Sequence, residues 1–149
     1  MKRTIVITAL LVFSACASTT TTPPPADPGA AIRALADVFD SAMRAGDVEG
    51  FMALYADDAV LLPPNAPAFN GATQVRKFWG GLLAAGKPDI DLIVDDVTSS
   101  GELAVERGHY ELTTPFKDSG KYIVVWRYRG GKWQIIDDMF SSNLAPPSP

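Results

Sequence analysis

The strongest constraint on this chain is a change of period at Pro88. Before it, apolar residues recur every three or four positions. Ile32, Leu35, Ala36, Phe39 and Met43 form one such run, and Val75, Phe78, Trp79, Leu82 and Leu83 another. That spacing puts each set on one face of a helix. After Pro88 the runs are strand-length and rich in β-branched and aromatic residues: Ile90–Val97, Leu103–Thr114, Tyr122–Tyr128 and Trp133–Phe140. Ser99-Ser100-Gly101, Lys117–Gly120 and Gly130-Gly131 separate them as turns.

Local punctuation fills in the rest. Asp27-Pro28 is a cap followed by proline at the first helical position, and Gly46 ends that helix. Asp47 caps a shorter helix that buries Val48, Phe51, Met52 and Tyr55. Ala59–Leu62 reads as a short strand stopped by Pro63-Pro64, followed by a loop through Asn65–Phe69 and a turn at Asn70-Gly71. The third helix closes at Gly86 and Pro88. Three helices segregated from a strand meander predict an α+β fold, with the helices packed on a curved antiparallel sheet. The segment from Asp27 to about Leu144 has the length of a single domain. Pro146-Pro147 and Pro149 mark a frayed tail over residues 146–149.

The segment ahead of the domain has its own logic. Lys2 and Arg3 precede an apolar run from Thr4 to Ala15, too short for the ~20 residues a membrane-spanning helix needs. A basic start, a short apolar run and small residues at its end describe a signal peptide over residues 1–15. Phe13-Ser14-Ala15-Cys16 resembles the bacterial lipobox, with Phe13 where leucine is usual. The resemblance implies acylation of Cys16, and Ala17 after it implies sorting to the outer membrane, facing the periplasm. Ala15-Cys16-Ala17 also reads as an ordinary signal-peptidase site, which would release a soluble periplasmic or secreted protein. Cys16 is the chain's one cysteine, so no intrachain disulfide can form. Residues 16–30 are rich in Thr and Pro and read as an extended tether. Without Lys2 and Arg3, 11 basic residues (13 less those two) face 17 acidic ones. With no basic block, nucleic acid is not an expected partner.

The order of elements, together with AGDVEGFMALYADDAVLLPP, ERGHYEL, GKYIVVWR and WQIIDDMFSSNLAP, resembles the SnoaL-like branch of the nuclear transport factor 2-like superfamily. The resemblance covers residues 31–145 and implies a cone-shaped fold with an apolar pocket open at one end. That pocket would take a small apolar ligand. It also implies a homodimer formed through the outer sheet face.

The resemblance can be tested position by position. Ketosteroid isomerases of the superfamily use a base Asp, a Tyr and a protonated Asp. The matching positions carry Pro63, Phe39 and Val124, none of which moves a proton. Family epoxide hydrolases and cyclases place an Arg, a His or acid, and a final-strand Asp around their chemistry. The positions here resemble Arg107, His109 and Asp138. By strand alternation Val105, Arg107, His109 and Glu111 share one face, and Gln134, Ile136, Asp138 and Phe140 share another. These are taken as inner faces, which would make His109 and Asp138 an acid/base pair. Tyr55, Phe78, Trp79, Trp126 and Glu111 are the expected ligand-binding residues. The Asp57-Asp58 pair reads as turn chemistry and not as a dyad. A lone histidine makes no metal set, and no nucleotide loop or nucleophile elbow is present, so neither metal nor cofactor is expected. A non-catalytic protein-interaction domain is the third reading of the same chain.

Overall fold

The computed structural model describes residues 22–114 and 116–145. The expected signal peptide, Cys16 and residues 146–149 lie outside them. Helix α1 spans Pro28–Ala45, and α2 spans Val48–Met52. The Asp27 carboxylate accepts from the Ala30 N–H at 2.9 Å, and Gly46 closes α1 with φ 75°, a left-handed conformation that suits glycine. Asp47 caps α2 by accepting from the Gly50 N–H. Strand β1 spans Tyr55–Leu62, β2 is Phe69–Asn70, and α3 spans Ala72–Ala85. The meander follows as β3 (Asp89–Ser100), β4 (Leu103–Thr114), β5 (Asp118–Arg129) and β6 (Lys132–Ser142).

All six strands form one sheet in the order β2-β1-β6-β5-β4-β3. The meander is antiparallel throughout, while β1 runs parallel to β6. Sequence expectations shift at several places, one of them Ser99-Ser100, read as a turn but paired with Ala104 and Leu103 within β3. The first strand starts at Tyr55, not Ala59, because Tyr55 and Ala56 are already buried and Tyr55 lies opposite Ile135 in register. The stretch read as a loop contains β2, which pairs with Val60 and Leu61. Asp118–Gly120 belong to β5 and not to a turn, since they pair with Leu112, Glu111 and Tyr110. Residues 28–30, which the tether bounds overlap but the Asp27-Pro28 punctuation puts in the helix, are the first turn of α1.

The core lies between the helices and the inner sheet face. Ile32, Phe39 and Met43 of α1, Phe51 of α2 and Val75 and Trp79 of α3 bury against Leu61, Tyr110, Tyr122, Trp126 and Ile135. The seam between α1 and β3 is polar: the Leu92 N–H donates to Asp40 at 3.0 Å, and Arg44 reaches Asp89, Asp91 and the Ile90 carbonyl. The opposite sheet face exposes Ile93, Val105, Ile123 and Met139 among charged residues. Among the described residues no helix is long and apolar enough to cross a membrane.

Two local departures from ideal strand geometry decide which residues face the core. A bulge between Val125 and Trp126 leaves Ile136 as an extra residue on β6: Trp126 pairs with Ile135, but Val125 pairs with Asp137. Trp133 and Ile135 therefore face inward before the bulge, and Asp138 and Phe140 after it. On β4 and β5, two glycines lie opposite two tyrosines, Gly108 with Tyr122 and Gly120 with Tyr110. A Cβ on Gly108 would come within 2.5 Å of the Tyr122 ring, and one on Gly120 within 2.3 Å of the Tyr110 ring. Each tyrosine lies over its glycine, an arrangement known to compensate strand glycines.

Candidate functional site: an acidic, aromatic-walled cavity

Between the helices and the inner sheet face is a cavity of about 290 Å³. Phe39 and Met43 of α1 and Phe78, Trp79 and Leu82 of α3 wall one side. The sheet supplies the other, and Phe116, half-exposed, lies where the cavity meets solvent. The lining is apolar and aromatic except for the carboxyls of Glu106, Asp118 and Asp138 and the hydroxyls of Tyr110 and Tyr122. No Lys, Arg or His lines it among the described residues.

Glu106 and Asp138 lie in one row across the sheet. Glu106 pairs with Val124, and Val124 pairs with Asp138. Two strand spacings separate their backbones by roughly 10 Å. Each carboxylate has its own aromatic donors. Tyr122 donates its hydroxyl to Glu106 Oε1 at 2.8 Å, and the Trp126 indole donates to Oε2 at 2.8 Å. Gly108 makes room for Tyr122 and so sets the first of these bonds. Tyr55 donates to Asp138 Oδ2 at 2.5 Å, and the Trp79 indole donates to the Tyr55 hydroxyl at 3.1 Å. Asp138 Oδ1 has no hydrogen-bond partner among the described residues, and Asp138 lines the cavity.

Burial governs the charge state of these groups. It pushes Asp138 up to about 6; the Tyr55 hydrogen bond opposes this, and the nearby Glu106 charge adds to it. Burial also raises Glu106, against the two aromatic donors that favour its ionised form. Tyr55 is held well above the ordinary phenol range by burial and by the Asp138 charge, so it remains a donor. Asp40, outside the cavity lining, is likewise pushed to about 6 by burial, opposed by the Leu92 N–H and Arg44.

The proposed pairing of His109 with Asp138 is not formed. Arg107, His109 and Glu111 lie on the outer face of β4, because the other parity, Ala104, Glu106, Gly108, Tyr110 and Leu112, is the one that faces the core. His109 Nδ1 instead meets Asp95 at 3.0 Å, and Arg107 pairs with Asp96 at 2.7 Å, both on β3. Asp138 does face inward, but its companions are Trp133, Ile135 and Phe140, not Gln134 and Ile136, owing to the bulge at Ile136. Of the expected ligand-binding residues, Phe78, Trp79 and Trp126 line the cavity, and Tyr55 lies behind Asp138 as its donor. Phe39, Pro63 and Val124 also line it. Asp58 is exposed and forks onto Arg127 at 2.7 and 3.1 Å. Among the described residues no metal-ligating group of three or more assembles. Glu106 was not singled out from the sequence. Its signal was its parity, shared with Tyr110 and Leu112.

A curved, antiparallel-dominated sheet wrapped over helices, enclosing a pocket, defines the nuclear transport factor 2-like cone. A family model for the SnoaL-like domain matches residues 32–136, and the chain belongs to that family. Solved structures share the fold. A ketosteroid isomerase-like protein from Erwinia carotovora atroseptica superposes with a TM-score of 0.69 at 22% identity, covering 78% of this chain and 96% of that one. A nuclear transport factor 2-like protein of unknown function from Shewanella oneidensis gives 0.70 at 18%, covering 76% and 98%. A domain of unknown function with a cystatin-like fold from Nostoc punctiforme gives 0.72 at 18%, covering 82% and 81%. No curated protein matches the chain.

The pH dependence of stability follows from Asp138. Its native pKa of about 6 lies above the ordinary aspartate value of 3.8, so between the two the native state keeps a proton the unfolded chain has lost. This contribution is full below about pH 4 and fades as pH rises through about 6. Asp138→Asn removes it while keeping an acceptor for Tyr55. Chemical denaturation should show the variant gaining on the wild type by on the order of 2–3 kcal/mol between pH 4 and pH 8. A difference that stays flat with pH would mean that Asp138 titrates as an ordinary exposed carboxyl.

Proposed function

We propose that this domain binds a small, largely apolar molecule in its cavity, oriented by the Asp138 carboxylate. The observation that carries this reading is a buried aspartate, Asp138, whose second carboxylate oxygen has no partner among the described residues and is open to a cavity walled mostly by rings and aliphatic groups. Small-molecule sites have this composition: apolar walls and a few placed polar groups. The opposite oxygen is fixed by Tyr55, which is itself held by Trp79, so the free one has a defined position. The outward placement of His109 and Arg107 gives the reading its non-catalytic form.

Val124 lies between the two carboxylates, so Val124→Trp should fill the cavity from the sheet side. Ligand-observed NMR with the neutral probe 4-phenylbutanol should show binding to the wild type and loss of it in a folded Val124→Trp variant. Equal binding to both, or none to the wild type, contradicts the reading.

The reading extends to location. The domain works outside the cytoplasm, tethered through Cys16, a proposal supported by the basic start, the short apolar run and the lipobox-like Phe13–Cys16. A single acyl chain holds a protein only marginally, so stable anchoring needs more than one. Cells fed labelled palmitate should label the wild-type chain and not Cys16→Ser. An unlabelled wild type with a mature N-terminus at Ser18 would contradict the anchor.

A further inference from the structure

The cavity's charge is one-sided. Its ionisable lining, tyrosines apart, is Glu106, Asp118 and Asp138; among the described residues no basic side chain lines it, and Arg33, whose charge favours the ionised Glu106, lies outside the lining. Burying a carboxylate without a cation costs free energy, and a protein normally supplies an Arg or Lys to offset it. Here Glu106 has both oxygens occupied by aromatic donors, and Asp118 accepts from Tyr110 and Ser142. Of these three carboxyls Asp138 keeps an oxygen without a partner among the described residues; the residue is nine-tenths buried, and that oxygen is open to the cavity. The walls around it suit a cation as well. Trp79, Tyr110 and Phe140, packed against one another, are among the rings that line the cavity with it. Aromatic faces attract ammonium groups.

From this we infer that the ligand is an apolar amine, bound as its protonated ammonium, with the nitrogen donating to Asp138 Oδ1 and the hydrocarbon body among the rings of α1, α3 and the sheet. The inference rests on the cavity being a small-molecule site and names the class that site takes. The ammonium supplies the missing countercharge, and a charge-assisted hydrogen bond is about twice as strong as a neutral one. Glu106, two strands away in the same row, adds to the negative field at that point. An apolar acid would bring a third negative charge against these two, and a neutral alcohol would leave Asp138 without a countercharge.

Three probes on one skeleton separate the possibilities: 4-phenylbutylamine, 4-phenylbutanol and 4-phenylbutyrate, titrated calorimetrically into the folded chain at pH 7.5. The amine should bind about tenfold or more tightly than the alcohol, and the butyrate most weakly. In Asp138→Asn the amine-to-alcohol ratio should fall to near one. An alcohol that matches or beats the amine overturns the inference while leaving the cavity reading intact. So does an amine preference that survives Asp138→Asn, since the cation is then held elsewhere. Amine binding that survives Val124→Trp overturns both, because the probe is then outside the cavity. Absence of binding by all three probes also overturns both.

Discussion

A carboxylate placed among aromatic rings must be held by something, and at Asp138 the holder is the Tyr55 hydroxyl at 2.5 Å. That bond joins the first strand to the last, across the parallel β1–β6 pairing that closes the meander onto the rest of the sheet. Trp79 ties the same hydroxyl to α3. One hydrogen-bonded chain therefore links a helix, two strands and the cavity wall. The residues that keep Asp138 in place are the ones that keep the pocket in shape. The pair does not fully compensate burial, as the upward shift of Asp138 to about 6 records.

The second carboxylate repeats the design with different parts. Glu106 receives Tyr122 and Trp126, and Tyr122 can lie where it does because Gly108 has no side chain. The difference between the two acids is their free valence. Glu106 is satisfied on both oxygens by aromatic donors, while Asp138 keeps one oxygen without a partner among the described residues. Phe39, Pro63 and Val124 line the same cavity and give it apolar surface.

The fold was legible because its period changes at Pro88 and its helices are punctuated at both ends. Asp27, Gly46, Asp47 and Gly86 mark boundaries that the structure places within a residue of where they read. The site was legible only in part, for two physical reasons. Alternation says which residues share a face but not which face is inside. On β4 the parity carrying Arg107 and His109 is the outer one. Alternation also fails at a bulge: Ile136 adds one residue to β6, so Trp133 and Ile135 share a face with Asp138, two positions of opposite parity. Tyr55 was legible as an aromatic residue of the site, but its partnership with Asp138 spans 83 residues of sequence and leaves no local signal.

The cavity's chemistry depends on Asp138 being a buried carboxylate, held by Tyr55, that titrates at about 6. The measurement that reads this directly is a carbon-13 NMR titration of the Asp138 side-chain carboxyl. Its midpoint should lie at about 6 in the wild type and move higher in Tyr55→Phe, where the donor favouring the ionised form is gone. A midpoint in the ordinary aspartate range, unmoved by Tyr55→Phe, would contradict it.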